Sequence, residues 1–421
     1  MTSATAKKTV LLIEPGSSLK KDILLQLAGL CNLVIATNAE TTWIKDAIPA
    51  SNLLITDPYC FNKLYYDVVS YTCINNLQFN AAITFYEHAV MQTSMLAAAL
   101  GLPHTPFETV FNSSINKINM RNTLNKCGLS KIKFLSSNRL DLQSDIHKFP
   151  KPCVIKPLFG SDSYGVRKIK DDSEIPAYID QLAKELVVDK ERSFLYKSDV
   201  LIMEEYVEGK LLSIDGIIVD KNILCFDPIE VFSSPEPYFV QYENRFPSSL
   251  NSTQIDNVKN YVISCLQALK FNNTGYHAEV KFKDDNEIEI IEIAARAPGG
   301  QLINAHKIIN GFDFASQTLD LYLGMKIDLK RISRKDECAL IQKGVFPQNP
   351  GVLKKLDGIE RISSIQELNR FMQLAKVGDM VKNYPDDYPS PIYFYELVGK
   401  DIAALNNISQ KIESDIMISV S

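Results

Sequence analysis

The segment 274–300, TGYHAEVKFKDDNEIEIIEIAARAPGG, holds side chains whose types and spacing could do chemistry. Tyr276, Ala278, Val280 and Phe282 alternate with His277, Glu279 and Lys281. A period of two gives one apolar and one polar strand face. A turn at DDNE, 284–287, folds this strand onto a second. With Lys283 opposite Ile288, Glu279 faces Glu292. Directly opposed residues share a face, with Cβ atoms roughly 5 Å apart. Two carboxylates at that separation repel unless a cation sits between them. Hard oxygen ligands suit Mg²⁺, with Mn²⁺ as a second candidate. A surface hairpin in another register, with both acids solvated, is the competing reading. Arg296 follows and can meet an anion. Gly299 and Gly300 let a small molecule approach the backbone.

A second constellation lies in VIKPLFGSDSYGV, 154–166. Lys156 ends an apolar strand, and Gly160, Ser161, Ser163 and Gly165 follow. Small residues bring backbone N–H groups close to phosphate oxygens, hydroxyls add donors, and the lysine adds a point charge. The GK[ST] element of a Walker loop is absent. A plain turn between two strands is the alternative. In LIMEEYVEG, 201–209, a polar kink after an apolar strand frees backbone groups that can pair with an adenine edge, and Glu204 can accept from its amino group. Taken alone, an exposed turn is the stronger reading there. His277 is a candidate substrate contact or proton acceptor, against a satisfied strand histidine.

The elements that must position these groups follow from periodicity. TVLLI (9–13), NLVIAT (32–37), NLLIT (52–56) and AAITF (81–85) are short apolar runs, and KKDILLQLAGL (20–30) has helical spacing. Strands alternating with helices predict βαβ units and a parallel sheet. The strand ends at Asp57 and Glu87 then face the ligand-binding edge, and loop carboxylates in solvent are the alternative. No GxGxxG occurs in this part, which removes support for a dinucleotide site. Residues 115–129 read as a helix ending at Gly128, 151–169 as strand–loop–strand, 200–219 as two apolar runs about a kink, and the chain after about 335 as a small α+β unit.

The bulk numbers bound the function. A chain of 421 residues holds two to four structural units, and 46% hydrophobic residues supply a substantial core. A net charge of −5 argues against a nucleic-acid or membrane binder. The eight cysteines form no CxxC pair, so a structural zinc site is not expected. They fit free thiols in a reducing compartment. The apolar run 9–13 is too short for a signal peptide, and none reaches the length of a membrane span. The expectation is a soluble, cytoplasmic protein acting on small molecules.

Taken together and in order, the motifs resemble the ATP-grasp superfamily: NKINMR (116–121), VIKPLFGSDSYGV (154–166), MEEYVEG (203–209), HAEVKF (277–282) and IEIAARAPGG (291–300). The resemblance spans about residues 80–330. It implies an α/β and α+β multidomain architecture with the ATP-grasp fold, preceded by a doubly wound parallel sheet and closed by a C-terminal α+β lobe. The expected division is 1–110 for the Rossmann-like unit, 111–200 for the small lobe with the phosphate lid, 201–334 for the central domain with the metal site, and 335–421 for the C-terminal subdomain. It further implies ATP as substrate and Mg²⁺ as the metal. Lys117 and Lys156 are implied as phosphate contacts, 160–165 as the lid, Glu204, Glu205 and Val207 as the adenine hinge, Glu279 and Glu292 as metal ligands, and Arg296 as the group that steadies an acyl phosphate and tetrahedral intermediate. Together with the strand-end and hairpin readings above, Glu87, His277, Arg296, Gly299 and Gly300 are the candidates for substrate.

Within the superfamily the chain looks most like the L-amino acid ligases, which make dipeptides. Ala294 stands where many members have a metal-binding asparagine, and Leu211 where many have a ribose-binding acid; Glu208 or Asp215 are the substitutes considered. The implied activity is amide formation between a carboxylate and an amine through an acyl phosphate, with a homodimer left open. Two other readings stand beside it: a carboxylase-type enzyme that activates bicarbonate, and a nucleotide-binding protein without catalysis.

Overall fold

A computed structural model describes residues 7–39, 41–138, 141–160, 163–185, 200–327, 329, 337–383 and 391–421. The first four strands are β1 (Thr9–Ile13), β2 (Asn32–Thr37), β3 (Leu53–Ile55) and β4 (Ala81–Ile83). They form a parallel sheet in the order β3-β2-β1-β4. Their runs are almost wholly apolar because both faces are covered. Val10 and Leu12 pack with Leu24, Leu27 and Phe314 on one side, and Leu11 and Ile13 with Leu64, Val68 and Leu96 on the other.

Next come β5 (Phe134–Asn138), β6 (Cys153–Pro157), β7 (Arg167–Ile169) and β8 (Val200–Glu205), an antiparallel sheet ordered β5-β8-β6-β7. The helix Lys117–Lys126 precedes it, capped by the Asn116 side chain on the Asn119 N–H. The chain continues with β9 (Lys210–Val219), β10 (Asn222–Cys225), β11 (Ile229–Ser233), β12 (Gln241–Phe246), β13 (Thr274–Phe282), β14 (Ile288–Ala294), β15 (Ala339–Val345), β16 (Gly351–Asp357), β17 (Leu368–Gln373), β18 (Met380–Val381), β19 (Tyr393–Gly399) and β20 (Met417–Val420). A large sheet runs β14-β13-β9-β11-β12-β15-β19-β17, with β10 on β9. Strands β16, β18 and β20 form a small separate sheet. The chain after residue 335 is therefore α+β in content, yet its strands β15, β17 and β19 extend the central sheet through the β12–β15 pair.

The hairpin β13–β14 forms as its alternation predicts. Tyr276, Ala278, Val280 and Phe282 are buried against Val258, Val262 and Leu266 of the helix Ser252–Ala268. The expected register needs correction at one end. Phe282, not Lys283, pairs with Ile288. A bulge then leaves Ile291 as the extra residue of β14, which restores Glu279 opposite Glu292. The turn is one residue longer than the alternation predicts, and the bulge, which the alternation does not reveal, compensates for it.

Gly209 shows why the kink between β8 and β9 carries a glycine. Its φ is +124°, and a Cβ there would sit 2.4 Å from the Phe282 carbonyl oxygen.

Candidate active site

The polar faces of β13, β14 and β9, the β6–β7 loop, the helix Lys117–Lys126 and the turn after β4 converge. Lys117, at the first position of its helix, is 3% exposed. Its Nζ donates to the Leu158 and Gly160 carbonyls at 3.4 and 3.2 Å and lies 3.7 Å from Glu292 Oε2. Lys156 on β6 reaches Glu204 Oε2 at 2.7 Å. Burial holds the Lys156 ammonium below the usual lysine range even so. Glu204 is pushed down to about 2, because Arg121 and Lys156 outweigh the burial that opposes its charge.

Arg121 is the residue that sequence reasoning passed over. Its side chain is 0% exposed and makes four hydrogen bonds: Nε to Glu204 Oε1 at 2.7 Å, Nη2 to Glu204 Oε2 at 3.1 Å, Nη1 to the Ile290 carbonyl at 2.6 Å, and Nη2 to the Ile291 carbonyl at 2.9 Å. The signal was present in NKINMR. Arg121 falls one turn after Lys117, beside the buried Met120 and Leu124. A charge on an apolar helix face must be paired. Both Glu204 oxygens are thus held by cations. Glu205 is exposed and Val207 buried.

Glu279 and Glu292 stand opposite each other as the sequence reading expected. Burial and the Glu279 charge push the Glu292 carboxyl up, against Lys117. Burial opposes ionisation of Glu279 as well, but His277, Gln241 and Lys156 outweigh it and hold Glu279 low. Gln241 Nε2 donates to Glu279 Oε1 at 2.6 Å. Two facing carboxylates, one of them resisting ionisation, are a donor set that a hard divalent cation fits. Among the described residues no group of three or more His, Cys, Asp or Glu side chains is arranged to hold a metal, so further ligands would come from substrate phosphates or water.

His277 and Asp215 lie together in the core. His277 Nδ1 lies 2.7 Å from Asp215 Oδ1, and its Nε2 lies 3.6 Å from Glu279 Oε1. Burial favours the neutral ring, but the two carboxylates outweigh it and raise the His277 pKa to about 10. Asp215 is 0% exposed and also accepts from His306 Nε2 at 2.8 Å and Ser213 Oγ at 2.9 Å. Its oxygens are spent inside the core, which removes it as a ribose ligand. Glu208 is exposed.

Arg296, just past β14, pairs through Nε with Glu87 Oε2 at 2.6 Å. Glu87 is 5% exposed and also accepts from Ser114 Oγ at 2.8 Å. The end of β4 therefore does deliver Glu87 to the site, whereas Asp57 accepts from the Tyr59 N–H in its own turn. In the lid, the Gly160 carbonyl faces Lys117, and Ser163, at φ +59°, donates to the Phe239 carbonyl at 2.9 Å. Gly165, at φ +66°, has no room for a Cβ, which would lie 2.8 Å from Leu182. Ser161 lies outside the described residues. Gly299 accepts from the Leu302 N–H, and Gly300 is exposed at φ +55°.

With that geometry in hand, comparison with known proteins gives one class. Residues 149–305 match the ATP-grasp domain family. Over 99% of the chain the fold superposes on all of an L-amino acid ligase from Bacillus licheniformis, with a TM-score of 0.80 at 19% identity. A biotin carboxylase from Campylobacter jejuni superposes with a TM-score of 0.68 at 12% identity, covering 98% of this chain and 92% of that one. The chain thus carries an ATP-grasp domain and has the ATP-grasp fold.

More particular is the likeness to an alanine–anticapsin ligase of Bacillus subtilis, 25% identical over 253 residues, 56% of this chain and 52% of that protein. The chain spans about half the length of the alanine–anticapsin ligases it matches. Among the described residues no helix is long and apolar enough to cross a membrane, and all eight cysteines are free.

Proposed function

We propose that the protein is an ATP-dependent carboxylate–amine ligase that joins two amino acids by an amide bond, releasing ADP and phosphate. The observation that carries this reading is the cluster at the β13–β14 hairpin. Arg296 leaves the strand that bears Glu292, Glu292 faces Glu279, and Lys117 and Lys156 stand beside them. The likeness to amino acid ligases supports it. A carboxylate oxygen attacks the γ-phosphorus and ADP leaves, giving an acyl phosphate. The amine nitrogen of the second substrate attacks the carbonyl, and phosphate departs. Phosphoryl transfer asks little covalent chemistry of a protein; positioning and charge neutralisation do the work. Lys117 and Lys156 meet phosphate oxygens, the Gly160–Gly165 lid keeps water from the acyl phosphate, and Arg296 meets the negative oxygen at the reacting carbon. Glu279 and Glu292 would hold Mg²⁺, which supplies further neutralisation of the phosphates when bound. The hinge backbone at Glu205 and Val207 holds adenine.

The test is phosphate release from purified protein with Mg-ATP and pairs of L-amino acids, with mass spectrometry of the products. Release that depends on a particular pair, with a product mass equal to the pair minus water, supports ligation and names both substrates. ADP release driven by bicarbonate alone would replace this reading with a carboxylase-type one. Nucleotide binding without turnover of any mixture would leave a binding protein. Arg296→Ala should lower kcat by roughly 10²–10³, the usual scale for losing a donor to a developing oxyanion. Near-normal turnover in that variant would remove Arg296 from the chemistry.

A further inference from the structure

Arg121 is buried, makes hydrogen bonds with four of its five N–H donors, and is unused by the mechanism above. Its four bonds run to three separate pieces of backbone or side chain. Glu204 belongs to β8 of the four-stranded sheet β5-β8-β6-β7, and Ile290 and Ile291 belong to β14 of the large one. Glu204 is opposite Val154 on β6, two residues from Lys156, and binds the Lys156 ammonium at 2.7 Å. Ile291 is the bulge residue that brings Glu292 opposite Glu279.

We propose that Arg121 is a positioning residue that ties the phosphate lysine to the metal-bearing strand. Through Glu204 it fixes where the Lys156 ammonium stands. Through the bulge carbonyls it fixes the register that sets Glu292 against Glu279. This rests on the roles proposed above for Lys156, Glu279 and Glu292. The choice of arginine follows from geometry. Its planar fork presents donors in several fixed directions at once, and a lysine ammonium on a flexible stem does not reproduce that pattern. Stability alone gives little reason to keep such a group, since buried ion networks are often no better than well-packed apolar side chains. What an apolar replacement would lose is the fixed relation between the two sheets. The bulge also needs a partner for its carbonyls, because its extra residue falls out of the ladder.

The test uses the full chain carrying Arg121→Lys. Affinity for Mg-ADP is read by calorimetry, affinity for Mn²⁺ by electron paramagnetic resonance, and the β14 amides by hydrogen exchange in the ligand-free protein. The expected result is a folded variant whose Mg-ADP and Mn²⁺ affinities each fall by about 10–100-fold, the usual scale for losing a group that orients a metal ligand. Exchange should rise at Ile291 and Glu292. In a Lys156→Met background the further loss of ADP affinity should be smaller than in the wild-type background, because the route through Lys156 is gone while the route through the bulge carbonyls remains. A folded Arg121→Lys protein with both affinities within twofold of wild type overturns the proposal, as does a nucleotide loss that multiplies fully in the Lys156→Met background. Should Arg121→Lys not fold, Glu204→Gln approaches the same link from its other side and keeps the bulge bonds. It should weaken Mg-ADP binding and leave Mn²⁺ binding unchanged; unaltered ADP affinity there also overturns the proposal. A wild-type chain that binds no Mg-ADP refutes the site reading instead. Unchanged exchange at Ile291 and Glu292 in folded Arg121→Lys would then refute the positioning role on its own.

Discussion

Asp215→Asn isolates the buried carboxylate that links His277, beside Glu279, to His306. Asparagine keeps the shape and removes the charge. Asp215 is fully buried and accepts from His277, His306 and Ser213 at 2.7–2.9 Å. Removing one partner of a buried pair typically costs about 3–5 kcal/mol, because the other charge is left uncompensated. The pH dependence has a definite sign. The His277 pKa is raised from 6.5 to about 10, so its contribution is complete below 6.5 and is lost as pH rises toward 10. The Asp215 pKa is depressed from 3.8, so its contribution is present above 3.8 and lost as pH falls. The pair therefore stabilises most between those two unshifted values, 3.8 and 6.5. The variant should lose about 3–5 kcal/mol near pH 6 and less than half of that near pH 9.5, where a neutral imidazole can accept from the asparagine amide. Urea unfolding followed by far-ultraviolet circular dichroism at both pH values measures it. An equal loss at the two, or one under about 1 kcal/mol near pH 6, would refute the argument that His277 is held protonated by Asp215.

Other outcomes follow from single groups. Gly209→Ala should destabilise by at least about 2 kcal/mol, since φ is +124° and the new Cβ meets the Phe282 carbonyl at 2.4 Å; the urea midpoint checks it. Glu204 drops from 4.5 to about 2, so roughly 3 kcal/mol of stability is present above 4.5 and disappears as pH falls toward 2. Acid titration of wild type against Glu204→Gln should show that limb only in wild type. Lys117→Met should weaken Mg-ADP binding by roughly tenfold or more by calorimetry, because it removes a charged donor at the lid and beside Glu292.

The parts of the site that were legible in the sequence are those written in local patterns. Alternation in 276–282 put Glu279 and His277 on one face, and the turn at DDNE brought Glu292 opposite. The apolar runs at 9–13, 32–37, 52–56 and 81–85 became the parallel sheet β1–β4, whose covered faces explain their composition. What stayed hidden depends on contacts far apart in the chain. Arg121 meets Glu204 and Ile290, separated from it by 83 and 169 positions. Asp215 meets His277 across 62 positions and His306 across 91. No local periodicity encodes those meetings, so the burial of Asp215 between two histidines is not legible in the sequence. The bulge at Ile291 is hidden for a similar reason, since its carbonyls are satisfied by a distant arginine rather than by a turn residue nearby.

The cations of this site do not wait unpaired. Lys156 is held by Glu204, Arg296 by Glu87 and Lys117 by Glu292 at 2.7, 2.6 and 3.7 Å. Under the proposed reading, substrate anions gain these cations by exchange, and the net attraction is the difference between two pairings. The three pairs differ in what is left behind. Glu204 keeps Arg121 when Lys156 turns to a phosphate, so that exchange leaves no buried charge alone. Glu292 keeps a place beside Glu279 and gains a divalent cation. Glu87 keeps the Ser114 hydroxyl, a neutral donor, when Arg296 turns to a substrate carboxylate or acyl phosphate. A buried carboxylate losing its cation costs several kcal/mol unless a new one arrives. An α-amino acid brings its own ammonium next to its carboxylate, and a plain carboxylic acid does not. The pair Glu87–Arg296 therefore favours a zwitterion over a simple anion by the cost of stranding Glu87. That preference comes from a repulsive alternative as much as from an attractive contact.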